Sequence, residues 1–300
     1  MSMRARLYRF AACLWLVGCA SSSIHEGNLN MKATEPTPPL KAGHAPVNGI
    51  SMYYEIHGNA AGTPLVLLHV GGSSIEVTYG RILPFLAAHR KIIAVDEQGH
   101  GRTTDRDAPV RFDSSADDVA ALLQRLEIER ADVMGFSNGA SVALQLTLRH
   151  PQRVRKLIFA SSMTRKSGAA PQFWQFMANA TFADMPQPLK DAYLKLNPDP
   201  QKLRTMHDKD LERMQNFADV SDAEVRSVKA PTLVLLGQHD VPTPEHAIEL
   251  VRLFPQAQLL ILPGGHGDYL GEMMLSRPGS RYPELTAGLL EEFLDAPASE

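Results

Sequence analysis

Cysteine is nearly absent from this sequence of 300 residues. The two that occur, Cys13 and Cys19, both lie in the first twenty positions. If that leader is removed, the folded part of the protein can form neither an internal disulfide nor a cysteine-ligated metal site. We therefore expect no metal, and any nucleophile must come from another side chain.

An excess of charge of one sign is also missing. The sequence has 30 Lys and Arg against 33 Asp and Glu, for a formal net charge of −3. No basic stripe interleaved with aromatic residues occurs, which argues against nucleic acid as a partner. The composition is typical of a globular protein, and the chain is long enough for one large domain with a buried core.

The first eighteen residues have the features of a signal peptide. Arg4, Arg6 and Arg9 precede an apolar run over 10–17. A run of about eight residues is too short to cross a bilayer. We therefore predict that residues 1–18 direct export and are removed.

The end of this leader resembles the lipobox of bacterial lipoproteins. The sequence Leu16-Val17-Gly18-Cys19 carries the resemblance, which implies that Cys19 is lipidated and becomes the mature N-terminus. Ala20 resembles the residue after the cysteine in outer-membrane lipoproteins, which implies a lipid anchor on the periplasmic side of that membrane in a cell with two membranes. The alternative is an ordinary cleavage site at Gly18-x-Ala20, which would release the protein in soluble form.

Beyond the leader, the sequence pattern divides the chain into three parts. Residues 19–46 are rich in proline and lack periodicity, so we predict a flexible tether. Strand and helix patterns alternate over 47–162, where one helix is predicted over 75–88, and again over 229–300. This alternation predicts an α/β fold with a mostly parallel sheet flanked by helices. Residues 163–228 show helical patterns rich in Phe, Trp and Met, without strand patterns.

Residues 131–139 predict a strand that runs into a nucleophile elbow. The spacing Gly135-x-Ser137-x-Gly139 meets a steric need, since a serine on a sharp strand-to-helix turn requires small neighbours. Such a turn raises the Ser137 hydroxyl above the sheet and directs the amide of Asn138 at a substrate carbonyl.

A serine hydroxyl needs a histidine beside it that is oriented by a carboxylate. Asp240 and His266 each lie in a loop that follows a predicted strand. The carboxyl ends of parallel strands lie at one edge of a sheet, so Ser137, Asp240 and His266 should converge there. Asp268 is an alternative acid, and Asp240 could instead cap a helix.

Other polar and aromatic residues have competing interpretations. His69 and His100 are expected to bond loop backbone, and Asp96 and Arg102 to tie down a loop. The apolar group of Phe173, Trp174, Phe176 and Met177 could line an acyl pocket or simply pack the helical segment. The acidic set of His207, Asp208, Asp210 and Glu212 is expected to be a solvated helix face.

Over residues 47–294 the chain resembles an α/β-hydrolase of the esterase, lactonase and cofactor-free haloperoxidase kind. The resemblance is carried by the stretches that contain His69-Val-Gly71, Asp96-Glu-Gln-Gly-His, Gly135-Phe-Ser-Asn-Gly139, Gly-Gln-His-Asp240 and Pro-Gly-Gly-His266. It implies a serine hydrolase fold with a helical cap over 163–228, catalytic residues Ser137, Asp240 and His266, and an oxyanion hole from the N–H groups of Gly71 and Asn138. It implies no cofactor.

One position departs from the family pattern. Val70 stands where the family usually has glycine after the strand-end histidine. If that position needs a positive φ, the β-branched valine would be strained. The expected function is ester hydrolysis through an acyl-enzyme. Lactone hydrolysis, carbon–carbon bond hydrolysis, cofactor-free haloperoxidase activity and a non-catalytic binding role on the same scaffold remain alternatives.

Overall fold

The structure is a computed structural model that describes residues 38–297. The predicted signal peptide, the predicted lipid attachment at Cys19 and most of the predicted tether lie outside the described residues. Among those that are described, no helix combines the length and apolar character needed to cross a membrane.

An eight-stranded sheet runs through the centre of the molecule. In chain order the strands are β1 (Lys41–Val47), β2 (Ile50–His57), β3 (Leu65–Leu68), β4 (Ile92–Val95), β5 (Ala131–Phe136), β6 (Val154–Ala160), β7 (Thr232–Gly237) and β8 (Ala257–Leu262). Their order across the sheet is β1-β2-β4-β3-β5-β6-β7-β8. The strand β2 pairs antiparallel with β1 and β4, and all other pairs are parallel.

Ten α-helices accompany these strands in the described part of the chain. They are α1 (Ile75–Tyr79), α2 (Leu83–His89), α3 (Phe112–Arg125), α4 (Asn138–Arg149), α5 (Pro171–Asn179), α6 (Gln187–Leu196), α7 (Pro200–Gln215), α8 (Asp222–Ser227), α9 (Pro244–Leu253) and α10 (Tyr282–Asp295). The predicted α/β architecture with a mostly parallel sheet is confirmed.

The central strands are apolar along their whole length because helices cover both faces of the sheet. All residues of β3, β4 and β5 are buried. One apolar core lies between the sheet and α3, α4 and α9, and a second lies between the opposite face and α1, α2 and α10. This double layer fixes the carboxyl ends of the parallel strands, where the loops of the site begin.

Two predicted boundaries differ from the structure. Residues 41–47 form β1 and pair in register with β2, so the sheet begins within the segment predicted as tether. The helix predicted over 75–88 is divided into α1 and α2. Pro84 has no N–H with which to continue the first helix, and it lies in the first turn of α2, where that loss costs little.

The segment between β6 and β7 contains only helices, as its pattern predicts. The helices α5, α6 and α7 form two small apolar clusters of their own above the sheet edge. The helix α8 differs from them, because Val225 is part of the main core and α8 packs against α9. The structural cap therefore consists of α5–α7, which is less than the predicted 163–228.

Candidate active site

Ser137 occupies a sharp turn between β5 and α4. Its backbone has φ 57° and ψ −117°, a conformation that non-glycine residues rarely adopt. A Cβ at Gly135 would lie 2.0 Å from the carbonyl oxygen of Gly139, so the turn closes only with glycine there. The observed turn thus has the strained geometry expected of a nucleophile elbow.

His266 and Asp240 form a close pair across two neighbouring loops. The distance from His266 Nδ1 to Asp240 Oδ1 is 2.6 Å, and the Asp240 side chain has no solvent exposure. Asp240 also accepts hydrogen bonds from the backbone N–H groups of Gly237 and Val241, at 2.8 and 2.7 Å. These contacts fix the carboxylate, which in turn orients the imidazole with its other nitrogen available.

A second serine supports this acid and was missed by the sequence analysis. Ser161, directly after β6, donates a hydrogen bond to Asp240 Oδ2 at 2.5 Å. The buried Tyr269 lies 2.6 Å from the same hydroxyl and must donate to it, since Ser161 has only one proton to give. Burial raises the pKa of Tyr269 well above its ordinary value, so the phenol stays a donor. The position of Ser161 after a strand was the only sequence signal for it.

Ser137 and His266 open into one cavity of about 200 Å³. The ring of Phe136, next to the serine, lies 4.7 Å from the imidazole of His266, centroid to centroid. No hydrogen bond joins the serine hydroxyl to the imidazole among the described residues, and such contacts often tighten only when substrate is bound. Two of the three predicted residues, Asp240 and His266, are therefore in direct contact, and Ser137 shares the cavity of His266.

The loop after β3 presents a free backbone donor to this cavity. The N–H of Val70 bonds Thr78 at 3.4 Å, and that of Gly72 bonds His100 at 3.2 Å. Within residues 38–297, no hydrogen bond occupies the N–H of Gly71 or of Asn138, and both residues line the cavity. Two unpaired N–H groups beside a serine are what an oxyanion hole requires.

Val70 is not strained in this loop. The non-glycine residues with positive φ in residues 38–297 are Asn48, Glu127, Ser137 and Ser161. The positive φ of the loop, 65°, is at Gly72 instead. The strain considered for Val70 is therefore absent, because the glycine two positions later makes the turn.

An ion-pair network joins the cap helix α7 to the sheet edge. Arg213 bonds Asp210, and it lies 3.0 Å from Glu97, in the loop after β4. Asp210 also accepts a 3.4 Å contact from the side chain of Asn138. Although burial disfavours its ionisation, the charge of Arg213 and contact with His100 keep the pKa of Asp210 below its ordinary value.

The prediction of a solvated face on α7 is wrong for Asp210, which is buried in this network. Asp208, in contrast, is exposed and pairs with Arg204. Polarity alone could not separate these two aspartates, because the partners of Asp210 include His100 and Asn138, which are distant in sequence.

The cavity wall is mainly apolar, and the cap supplies a large part of it. Phe173, Phe176 and Met177 line it, whereas the indole N–H of Trp174 bonds the backbone of Lys166 at 2.6 Å. Of the four residues in the predicted apolar group, three line the cavity and Trp174 does not. The charged lining residues are all acidic: Asp184, Asp210 and Glu272, with no Lys or Arg in the described wall.

The remaining polar residues of the sequence analysis have structural partners. His69 contacts the backbone of Val70 and Glu97, and His100 contacts that of Gln98 and Gly72, as predicted.

Asp268 accepts a hydrogen bond from the N–H of Gly265 at 2.8 Å and makes none with His266. Asp240 is therefore the only carboxylate of the two that contacts the imidazole. No group of three or more metal-ligating side chains occurs in residues 38–297.

Comparison with known proteins gives consistent results. A family model described as alpha/beta hydrolase fold matches residues 63–190. The 2-hydroxymuconate semialdehyde hydrolase of Pseudomonas sp. strain CF600 is 37% identical over 110 residues, 36% of this chain and 39% of that protein. The dihydrolipoyllysine-residue acetyltransferase component of the acetoin cleaving system of Pseudomonas putida is 31% identical over 230 residues, 70% of this chain and 60% of that protein.

The matches thus span only 39% and 60% of the length of these two relatives. Among solved structures, Est816, an enzyme that degrades N-acyl homoserine lactones, is 27% identical. It has a TM-score of 0.64, and the match covers 83% of this chain and 99% of that one.

Proposed function

This chain has the alpha/beta hydrolase fold, and from that premise we propose that it is a serine hydrolase that cleaves a carboxylic ester or a related acyl compound. Ser137 attacks the substrate carbonyl, and His266 takes the serine proton and then gives it to the leaving alcohol. Asp240 stabilises the imidazolium, and the N–H groups of Gly71 and Asn138 bind the oxyanion. Water activated by the same histidine then releases the acid.

One observation carries the proposal. A 2.6 Å carboxylate–imidazole pair opens into the cavity that also receives a serine on a strained turn. Backbone strain of this kind is kept where function requires it, and a buried carboxylate behind a histidine is the arrangement that makes the ring a base. No role in packing calls for these two features together.

The charge of the cavity favours an ester or lactone over carbon–carbon bond hydrolysis. The hydroxymuconate hydrolase among the relatives makes carbon–carbon hydrolysis the second candidate. A muconate carries a carboxylate, which would need a cation in the site. The described wall of this cavity contains Asp184, Asp210 and Glu272 but no Lys or Arg. The lactone-degrading enzyme of similar structure supports the ester or lactone assignment.

A screen of p-nitrophenyl esters with acyl chains of graded length tests the proposal. The purified protein should hydrolyse them, and Ser137→Ala should reduce kcat by about a millionfold, as loss of the nucleophile does in other triads. If native protein shows no activity on esters or lactones but cleaves a dienoate, the second candidate replaces the first. If it binds acyl compounds without turnover, the scaffold is a binding module.

We also propose that the protein is exported and anchored to a bacterial membrane through a lipid on Cys19. Support comes from the leader sequence alone: three arginines, a short apolar run and Leu-Val-Gly-Cys before the proline-rich segment. Cys19→Ser should prevent incorporation of labelled palmitate and move the protein from the membrane to the soluble fraction. Unchanged membrane association of this variant would contradict the anchor.

A further inference from the structure

A carboxyl group that the proposed mechanism does not use lies on the wall of the active-site cavity. Glu272, in the segment between β8 and α10, is 5% exposed, and it lines the same cavity as Ser137 and His266. Its Oε2 accepts a hydrogen bond from the N–H of Met274 at 2.8 Å. The backbone N–H of Leu275 also stabilises the ionised carboxyl. No side-chain donor within residues 38–297 bonds it, and the group lines the cavity.

The chain around Glu272 is built to hold it beside the histidine. Gly267 has φ 95°, and a Cβ there would lie 2.9 Å from both the Cβ of Glu272 and the Phe136 ring. Only glycine therefore allows the segment to close against Phe136, whose ring contacts His266. On the other side, the N–H of Met273 bonds the carbonyl of Val77 in α1 at 3.0 Å.

The electrostatic surroundings leave this carboxyl without a cationic partner. The other titratable side chains of the cavity wall are His266 and His207, with Asp184 and Asp210. Burial raises the pKa of Glu272 to about 7, against smaller opposing effects of the Met274 N–H, of His266 and of the Leu275 N–H. Near neutral pH the group is therefore present in both protonation states, and it donates or accepts a hydrogen bond.

We infer that Glu272 forms a hydrogen-bonding subsite for the leaving alcohol, which selects esters of diols and polyols over esters of simple alkanols. The inference rests on the proposed function. His266 must give its proton to the leaving oxygen, so the alcohol lies next to the imidazole, in the cavity whose wall also carries Glu272. A hydroxyl both donates and accepts, and thus pairs with the carboxyl in either protonation state.

The apolar part of the cavity wall is suited to the acyl group of the substrate. Phe173, Phe176 and Met177 of the cap present an apolar surface suited to an acyl chain. A substrate with an apolar acyl group and a hydroxylated alcohol matches both walls. A site that hydrogen-bonds a substrate hydroxyl also disfavours an analogue without it, because the buried polar group is then left unpaired.

Two esters of nearly equal size test the subsite. In 2-hydroxyethyl butyrate a hydroxyl group replaces the terminal methyl group of the propyl chain in propyl butyrate. We expect wild-type protein to favour the hydroxyethyl ester by about tenfold in kcat/KM. Glu272→Leu should reduce that ratio to about one, whereas Glu272→Gln, which still forms hydrogen bonds, should keep most of it. Glu292→Gln, an exposed change on α10, serves as control and should leave the ratio unchanged.

Labelling by a fluorophosphonate separates the possible failures. Each variant is first shown to label at Ser137, which also demonstrates that it is folded. If labelled wild-type protein shows no preference for the hydroxyethyl ester, or if Glu272→Leu retains the preference, the subsite is contradicted and the serine mechanism stands. If wild-type protein is not labelled, the proposed function fails, and the subsite fails with it.

Discussion

At the residue scale, Ser137 and Ser161 share an unusual backbone. They follow the neighbouring strands β5 and β6, and both have positive φ, 57° and 51°. One carries the proposed nucleophile and the other bonds the acid Asp240. The Gly-x-Ser-x-Gly spacing predicted the first of these from sequence, whereas no residue spacing identifies a lone serine that supports a carboxylate from a distant loop.

The role of Asp240 is tested by removal of its charge alone. Asp240→Asn should reduce kcat on a p-nitrophenyl ester by about 10³–10⁴, because the amide no longer stabilises the imidazolium. Asp268→Asn is the matched control, since Asp268 lies near His266 in sequence but bonds Gly265 instead. If Asp268→Asn lost the larger share of activity, the acid would have been misassigned.

The backbone strain at Ser161 is measured by a pair of substitutions. Ser161→Ala and Ser161→Gly both remove the hydroxyl that bonds Asp240, but only glycine relieves the positive φ. The glycine variant should therefore have a free energy of unfolding about 1 kcal/mol higher than the alanine variant, measured in urea. Equal stability of the two variants would contradict a strained backbone at this position.

The buried carboxyl of Glu272 makes stability depend on pH. Its pKa is raised from 4.5 to about 7, so the folded state holds the proton that the unfolded state releases. Stability from this group is complete below pH 4.5 and is lost as pH rises to about 7. Relative to wild type, Glu272→Gln should gain about 3 kcal/mol in free energy of unfolding between pH 4 and 8. A difference that does not vary with pH would contradict the raised pKa.

At the element scale, the cap helix α7 packs charged residues against the loops at the sheet edge. Its polar residues follow the pattern of a solvated face, yet Asp210 and Arg213 are buried against the loop after β4. Periodicity distinguishes apolar from polar faces, but it does not show that a polar face is covered by charges of another element. The break between α1 and α2 could have been predicted from the sequence, because Pro84 interrupts the helical pattern.

This network predicts a large effect on stability. Arg213→Met leaves the carboxylates of Asp210 and Glu97 buried without their cation, which should reduce the free energy of unfolding by about 3–5 kcal/mol. The double variant Asp210→Asn/Arg213→Met should recover part of that loss. Chemical denaturation of the two variants checks the prediction, and a single variant as stable as wild type would show that the network does not hold the cap.

At the scale of the whole molecule, the order of strands brings distant residues together. Ser137, Asp240 and His266 follow β5, β7 and β8, whose carboxyl ends lie at one edge of the sheet. This convergence was predictable because parallel strands with alternating helices leave few topologies. The strand β1 was not, because the Gly, His and Pro of its sequence resemble a loop and only its pairing with β2 defines it as a strand.

The most direct test of the account is the site of covalent modification by a fluorophosphonate, determined by peptide mass spectrometry. The triad mechanism predicts one added phosphonyl group on the peptide that contains Ser137, loss of the label in Ser137→Ala, and slow labelling in His266→Ala. Labelling of a different serine, or of none in protein that is folded, would contradict it.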